Sequence, residues 1–358
     1  MVNRKYAPDD PANGSPGAPR MHGVWLARGA EGRFSVYVPR DGGVIRWTEG
    51  ADGRFTGPVP LGGGGELWPY LGVGQGPDRY VHMVGIRPTD TGDGHVELVY
   101  SAQFQTGRPN VEWKSFGHSN TKAPWYGNPA VAVDPQGRVY VFTRNGGGGV
   151  SCRARKDNGA WHPWWDLKGN NTDRNPVAMI TGAGLVELYT STHQGLRRYI
   201  QKESGAMPVA EDVLLTPLVQ GTLAAVTGPS GHVTAFYADG LGKICAWSPG
   251  RGLAPTAFAD AIGTGPITAV NCLIDGYECT LLAQCDEQGR TAFAAYLTER
   301  EETGLNWTVS GPPVTNPPVL TTDAAGAAVA AALTPDGGVV VTRQKDEPGL
   351  ALEAWTRI

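Results

Sequence analysis

A turn signal returns along this chain at Gly32, Asp78, Gly137, Gly184, Gly231, Gly276 and Gly326, at intervals of about 46, 59, 47, 47, 45 and 50 residues. The grammar around it is clearest over residues 128–169. Asn128-Pro129-Ala130-Val131-Ala132-Val133 is a short apolar run, and Asp134-Pro135-Gln136-Gly137 is turn chemistry in which glycine supplies a positive φ. Residues 138–142 alternate and are rich in β-formers, 145–149 turn again, 150–155 read as a third strand and 161–167 as a fourth. Four strands joined by tight turns make one antiparallel meander, A to D. A period of ~40–50 residues is that of a propeller blade. The long second interval is explained by residues 87–94, an extended loop between strands B and C of the second unit.

One four-stranded sheet cannot bury both of its faces alone. Seven packed face to face around an axis can, and radial closure leaves only short edges. The sequence therefore predicts an all-β chain, a seven-bladed β-propeller of four-stranded antiparallel blades, nearly without helices. The blades fall at approximately 21–63, 66–118, 126–170, 174–217, 220–264, 265–312 and 316–358, with 1–20 as a flexible N-terminal tail. A prior of ~150 residues per domain suggests two domains instead, but the period crosses any such boundary. The first and last units each look complete, so no closing strand is exchanged.

Composition agrees with a chain that turns often. Gly 51 and Pro 28 make about 22% of 358 residues, against ~12% on average, while 41% hydrophobic residues and 11 Trp can build a large core. Thirty basic against 34 acidic residues give a net charge of −4, which offers no basic stripe and excludes nucleic acid as a partner. No apolar run approaches the ~18 residues of a membrane span, so no membrane partner is expected. The first twenty residues hold no apolar core of a secretory leader. Five cysteines without a leader fit reduced thiols in the cytoplasm. Cys272 and Cys279 flank a turn and are the pair most able to meet.

Motifs of nucleotide, metalloprotease or serine-hydrolase chemistry are missing, and no Cys/His spacing suggests zinc. No metal and no cofactor is expected. Gly72-Val73-Gly74-Gln75-Gly76 lies in the second A strand and is read as turn chemistry rather than a dinucleotide loop. His82 and His232 sit in or beside B strands and read as structural. His22 opens the first A strand, within reach of the channel mouth. Asp90, Asp93 and His95 form a loose acidic cluster that reads as a solvated loop.

The third unit, with Asn128-Pro129, Asp134-Pro135-Gln136-Gly137-Arg138-Val139-Tyr140-Val141-Phe142 and Trp161 to Trp165-Asp166-Leu167-Lys168-Gly169, resembles the repeat of PLL-type bacterial lectins. Leu61-Gly62-Gly63 and Trp113-Lys114-Ser115-Phe116-Gly117 carry the same likeness in units 1 and 2. The resemblance implies a seven-bladed propeller that binds fucose and related sugars. Units 4 and 5 depart from it, since their D strands contain no tryptophan, and unit 7 keeps only Trp355.

Propeller ligands usually sit where the D–A and B–C loops meet at one mouth of the channel. Two adjacent loops enrich that face. The loop into unit 3 carries His118, Trp125, Tyr126 and Asn128, and the loop into unit 4 carries Asp173, Arg174 and Asn175, with Arg144 and His193 between them and Tyr70 opening unit 2. Aromatic rings can pack on sugar C–H groups while Asp, Asn and Arg bind vicinal hydroxyls. The expected ligand-binding set is Tyr70, Trp125, Tyr126, Asn128, Arg144, Asp173, Arg174, Asn175 and His193. The same residues admit a blander reading in which Trp125 and Tyr126 cover the end of the core and Arg174 pairs with Asp173. The partner is a sugar or a small polar molecule. The alternatives to a lectin-like binding module are a cytosolic enzyme, of secondary metabolism for example, with one site at the mouth, or a protein-interaction platform. The sequence names no catalytic residue and no oligomeric state.

Overall fold

The computed structural model describes residues 19–63, 67–89, 96–117, 126–192 and 194–358. They form seven sheets whose strands A to D follow one another in the chain, over 26–60, 70–115, 130–166, 177–215, 224–260, 268–313 and 319–357. Each blade is complete from its own stretch, and the first and last exchange no strand. Among the described residues the only helical turns are two 3₁₀ turns, Pro249–Arg251 and Glu301–Thr303. Six of the seven A–B turns place glycine at a φ between 77° and 87°, at the six positions the period marks. Blade 2 instead places Arg79 at φ 63°.

The apolar cores lie between blades. One cluster joins Val131, Val139 and Val141 of blade 3 to Val84, Leu98 and Phe116 of blade 2. Others join blade 3 to 4 through Tyr140, Leu188 and Tyr199, and blade 5 to 6 through Phe236, Leu282 and Tyr296. The seam that closes the ring packs Val329 and Val341 of blade 7 on Leu26 and Val36 of blade 1. It also carries an ion pair, Arg343 Nη2 to Glu49 Oε1 at 2.5 Å, and Glu49 Oε2 accepts the Phe34 N–H at 3.0 Å. The B strands are buried on both faces while the D strands are partly exposed, so the inner part of each sheet depends on its neighbours in the ring for cover.

The chain enters through the channel. Strand Arg20–Gly23 pairs in parallel with the A strand of blade 2, Tyr70–Gln75, from Arg20↔Tyr70 to Gly23↔Val73. Residues 21–23 thus belong to the sheet of blade 2, and blade 1 begins only at Leu26–Arg28. Gly23 lies at φ 78°, and a Cβ there would fall 2.0 Å from the Val73 carbonyl oxygen, so glycine alone lets the chain cross to blade 1. Asn316 Nδ2 of blade 7 donates to the Pro19 carbonyl at 3.3 Å, and the His22 ring lies beside the Pro176 backbone of blade 4. Of the expected tail 1–20, residues 1–18 lie outside the described residues, while Arg20 is already ordered by its pairing.

Gly72 and Gly74 are extended residues of this A strand, not a turn. A Cβ on Gly72 would meet the Pro129 carbonyl oxygen at 2.3 Å, and one on Gly74 the Val131 side chain at 2.6 Å. The glycines let the A strands of blades 2 and 3 approach closely beside an additional strand in the channel.

Candidate functional site

The residues expected at the channel mouth divide into three groups. Trp125 and His193 lie outside the described residues, as do His118, Asp90, Asp93 and His95. Tyr126 is buried in the core between blades 2 and 3, its hydroxyl donates to the Val96 carbonyl at 3.4 Å, and burial raises its pKa. Asn128, Asp173 and Asn175 tie blades together. Asn128 Nδ2 donates to Asn175 Oδ1 at 2.6 Å, joining the Asn-Pro entries of blades 3 and 4. Asp173 Oδ2 accepts the Gly221 N–H at 2.8 Å and the Ser191 hydroxyl at 3.3 Å, and its Oδ1 accepts the Arg174 N–H at 2.6 Å.

Three cations remain at that mouth. Arg144 is half-buried, its Nε has no hydrogen-bond partner among the described residues, and its pKa is lowered by burial and then by the charge of Arg174, against the pull of Asp173. The Arg174 backbone is held at both ends, because its carbonyl accepts the Asn128 N–H at 2.7 Å. Arg20 stands over the half-buried ring of Tyr70, its guanidinium carbon 5.7 Å from the ring centroid. The structure thus brings Arg144, Arg174 and Asp173 together, and places Tyr126 apart from them in the core.

The tryptophans before the D strands hold the rim. Trp113 Nε1 donates to the Leu61 carbonyl at 3.0 Å, Trp164 Nε1 to Gly117 at 2.7 Å, and Trp307 Nε1 to Asp260 at 2.7 Å. Each indole stands just before its D strand and reaches the end of the previous blade's D strand. Trp355 occupies the same register and lies over Gly311, where a Cβ would meet its Nε1 at 2.2 Å. Phe116 is further sandwiched between Trp161 and Trp164, with centroids 5.1 and 5.7 Å away and planes 18° and 17° apart. Blades 4 and 5 have Pro208 and Pro255 at this position, and the ring closes there without an indole. The recurring spacing of these indoles was visible in the sequence; their partners were not.

Sequence reasoning missed the concavities of the rim. Three grooves lie in three seams, each over strands of one blade and bounded on one side by the C–D loop of the next. Between blades 3 and 4 a groove of ≈ 440 Å³ is lined by Tyr140, Arg155, Asp157, Asn158, His162 and Gly205. Between blades 5 and 6 one of ≈ 410 Å³ is lined by Lys243, Phe258, Asp260, Glu302 and Gly304. Between blades 6 and 7 one of ≈ 600 Å³ is lined by Phe293, Tyr296, Asn306, Ser310, Leu350 and Leu352. These sizes are those of small-molecule sites. Among the described residues no group of His, Cys, Asp or Glu could hold a metal ion, and no helix is long and apolar enough to cross a membrane.

A ring of seven such blades with grooves in its seams has the fold of the lectin-like propellers. The chain is similar to the BP39L lectin of Burkholderia pseudomallei, with a TM-score of 0.71 and 13% identity over 96% of this chain and 99% of that one. It is also similar to the Aleuria aurantia lectin solved with Fucα1-6GlcNAc, at 0.50 and 13% identity over 81% and 96%. A putative 6-phosphogluconolactonase from Bacteroides uniformis shares the architecture too, at 0.58 and 18% identity over 90% and 95%. At such identities the likeness is one of fold. No protein-family model and no curated protein matches the sequence.

Proposed function

We propose that the protein binds carbohydrate in the seam grooves of its rim. The observation that carries this reading is a small-molecule-sized groove in each of three seams, bounded by the following blade's C–D loop. Each sets half-buried ring or apolar surface beside hydrogen-bonding groups: His162 with Asp157 and Asn158, Phe258 with Asp260 and Lys243, Leu350 and Leu352 with Asn306 and Ser310. A sugar ring offers an apolar C–H face and a polar edge of vicinal hydroxyls, and these walls complement both. Several shallow sites on one rigid ring give the multivalency by which weak sugar sites reach useful avidity. The fold likeness to a lectin solved with a fucosylated disaccharide makes fucosides the first sugars to test. The lining differs from seam to seam, so the grooves differ in preference. No observation singles out a reacting constellation, and binding rather than turnover is the function proposed.

A glycan array at high surface density tests this, followed by calorimetric titration of the best ligand. The expected stoichiometry exceeds one sugar per chain, with Asn158→Ala removing the site between blades 3 and 4 alone. No retention on any glycan, or one site per chain that Asn158→Ala and Asn306→Ala leave untouched, would overturn it.

A further inference from the structure

Four arginines in the seams are paired with carboxylates. Arg198 binds Glu187 and Asp212, Arg251 binds Glu301, Arg343 binds Glu49 and Arg138 binds Asp157. Arg144 and Arg174 are not, and nor is Arg28, whose Nη1 is also buried without a partner among the described residues. Among the described residues neither the Arg144 nor the Arg174 guanidinium has a hydrogen-bond or ion-pair partner, and the Nε of Arg144 is buried. Among the described residues the carboxylate acting on Arg144 is Asp173, which already receives three donors: the Gly221 N–H, the Ser191 hydroxyl and the Arg174 N–H. Leaving the half-buried Arg144 guanidinium unpaired is costly. Buried polar atoms without partners in a native fold call for an explanation.

The setting is rigid. Thr172 N–H donates to the Gly148 carbonyl at 2.8 Å, which ties the loop carrying Arg174 to the loop that follows Arg144. Asp173 N–H donates to the Ser191 carbonyl at 2.7 Å, and the Arg174 carbonyl accepts from Asn128. A third cation, Arg20, stands two residues above His22 on the channel strand, and the His22 ring touches the Pro176 backbone two residues beyond Arg174. A neutral ligand would leave these charges uncompensated, whereas an oxyanion matches the planar fork of each guanidinium.

We propose that the channel mouth is a binding site for a small oxyanion, the carboxylate or phosphate group of a metabolite, held between Arg144 and Arg174 with Arg20 adding to the positive field. This does not rest on sugar binding at the rim. The site is distinct from the grooves and takes a single ligand per chain.

Titration calorimetry of the full chain at low salt, with inorganic phosphate, glucuronate and glucose 6-phosphate as separate probes, tests it. Binding of one equivalent of at least one probe is expected. Preference for glucuronate assigns a carboxylate, and preference for the two phosphates assigns a phosphoryl group. Arg174→Ala and Arg144→Ala should each weaken binding about 10- to 150-fold, the range for losing a hydrogen bond to a charged group. Arg174→Lys, which keeps charge but not the fork, should lie between. The melting temperature of each variant should be unchanged or higher, because an unpaired charge is removed, whereas a purely structural arginine would lower it. Neutral-sugar binding at the rim should persist in all three, so this site and the rim reading fail separately. The proposal is overturned if no probe binds at millimolar concentration, or if binding survives both alanine variants. It is equally overturned if binding is lost instead in Arg79→Ala, whose side chain lies near Arg28 at a different site.

Discussion

Cutting the ring's closing contact tests how the propeller is held together. Arg343 and Glu49 are 294 residues apart in sequence and meet only where blade 7 returns to blade 1. The Glu49 side chain is 9% exposed and that of Arg343 28%, and the guanidinium also lies over Phe34 at 5.1 Å. In Arg343→Ala the carboxylate stays buried and keeps the Phe34 N–H as its remaining donor from across the strands. Removing one partner of a buried pair costs ~3–5 kcal/mol. The surviving charge-assisted hydrogen bond and water entering the space left by a partly exposed arginine reduce that here to about 2–4 kcal/mol. An unfolding entropy of ~2.1 cal/mol/K per residue gives a chain of this length ~0.75 kcal/mol/K, so the melting temperature should fall by about 3–5 °C. Glu49→Gln in the same background removes the stranded charge while its amide oxygen still accepts from Phe34, and should recover part of the loss. Calorimetry of the four members of this cycle measures the coupling. Arg357→Ala, which breaks the exposed pair with Asp336, serves as the control and should leave the transition in place. A shift below about 1 °C for Arg343→Ala, or a double variant no more stable than that single one, would refute the claim that this pair helps close the ring.

The buried imidazole of His82 should impose an acid limit on stability. Burial holds its pKa down to about 4, its Nδ1 lies 2.7 Å from the Tyr100 hydroxyl, and the unfolded chain titrates near 6.5. Above pH 6.5 both states are neutral and the group contributes no pH dependence; as pH falls from 6.5 towards 4 the unfolded state takes up the proton first, costing roughly 3 kcal/mol in all. Urea titrations from pH 7 to 4 should show this slope in the wild type and lose it in His82→Gln; equal slopes would exclude the residue as its source. The five cysteines should titrate as five thiols in denatured, unreduced protein, although Cys272 and Cys279 face each other across a strand pair. Burial, and next the neighbouring Cys279, push the Cys272 thiol up to about 12, so it should resist a thiol reagent at pH 8 in the native state; a count of three would reveal one bridge.

What the sequence alone determined is whatever acts locally. A positive φ at the A–B turn needs glycine, so Gly32, Gly137, Gly184, Gly231, Gly276 and Gly326 mark the turns wherever the blades stand. Strand alternation and the ~47-residue period then specify seven two-faced sheets, which can be covered only by one another. The candidate site was legible to the extent that Arg144, Asp173 and Arg174 fall on neighbouring loops of one mouth. Tertiary structure decided the rest, because it depends on partners from other blades. Tyr126 reads as an exposed platform until blade 2 covers it, and Asn128 and Asn175 read as ligand groups until they bond each other. Gly72 and Gly74 read as a turn until blade 3 leaves no room for a Cβ. The channel strand and the rim grooves had no local signature: one depends on Gly23 slipping past Val73, the others on the C–D loop of a following blade. A residue's own chemistry fixes its backbone and its alternation, but which atoms meet across a seam is fixed only when the ring has closed.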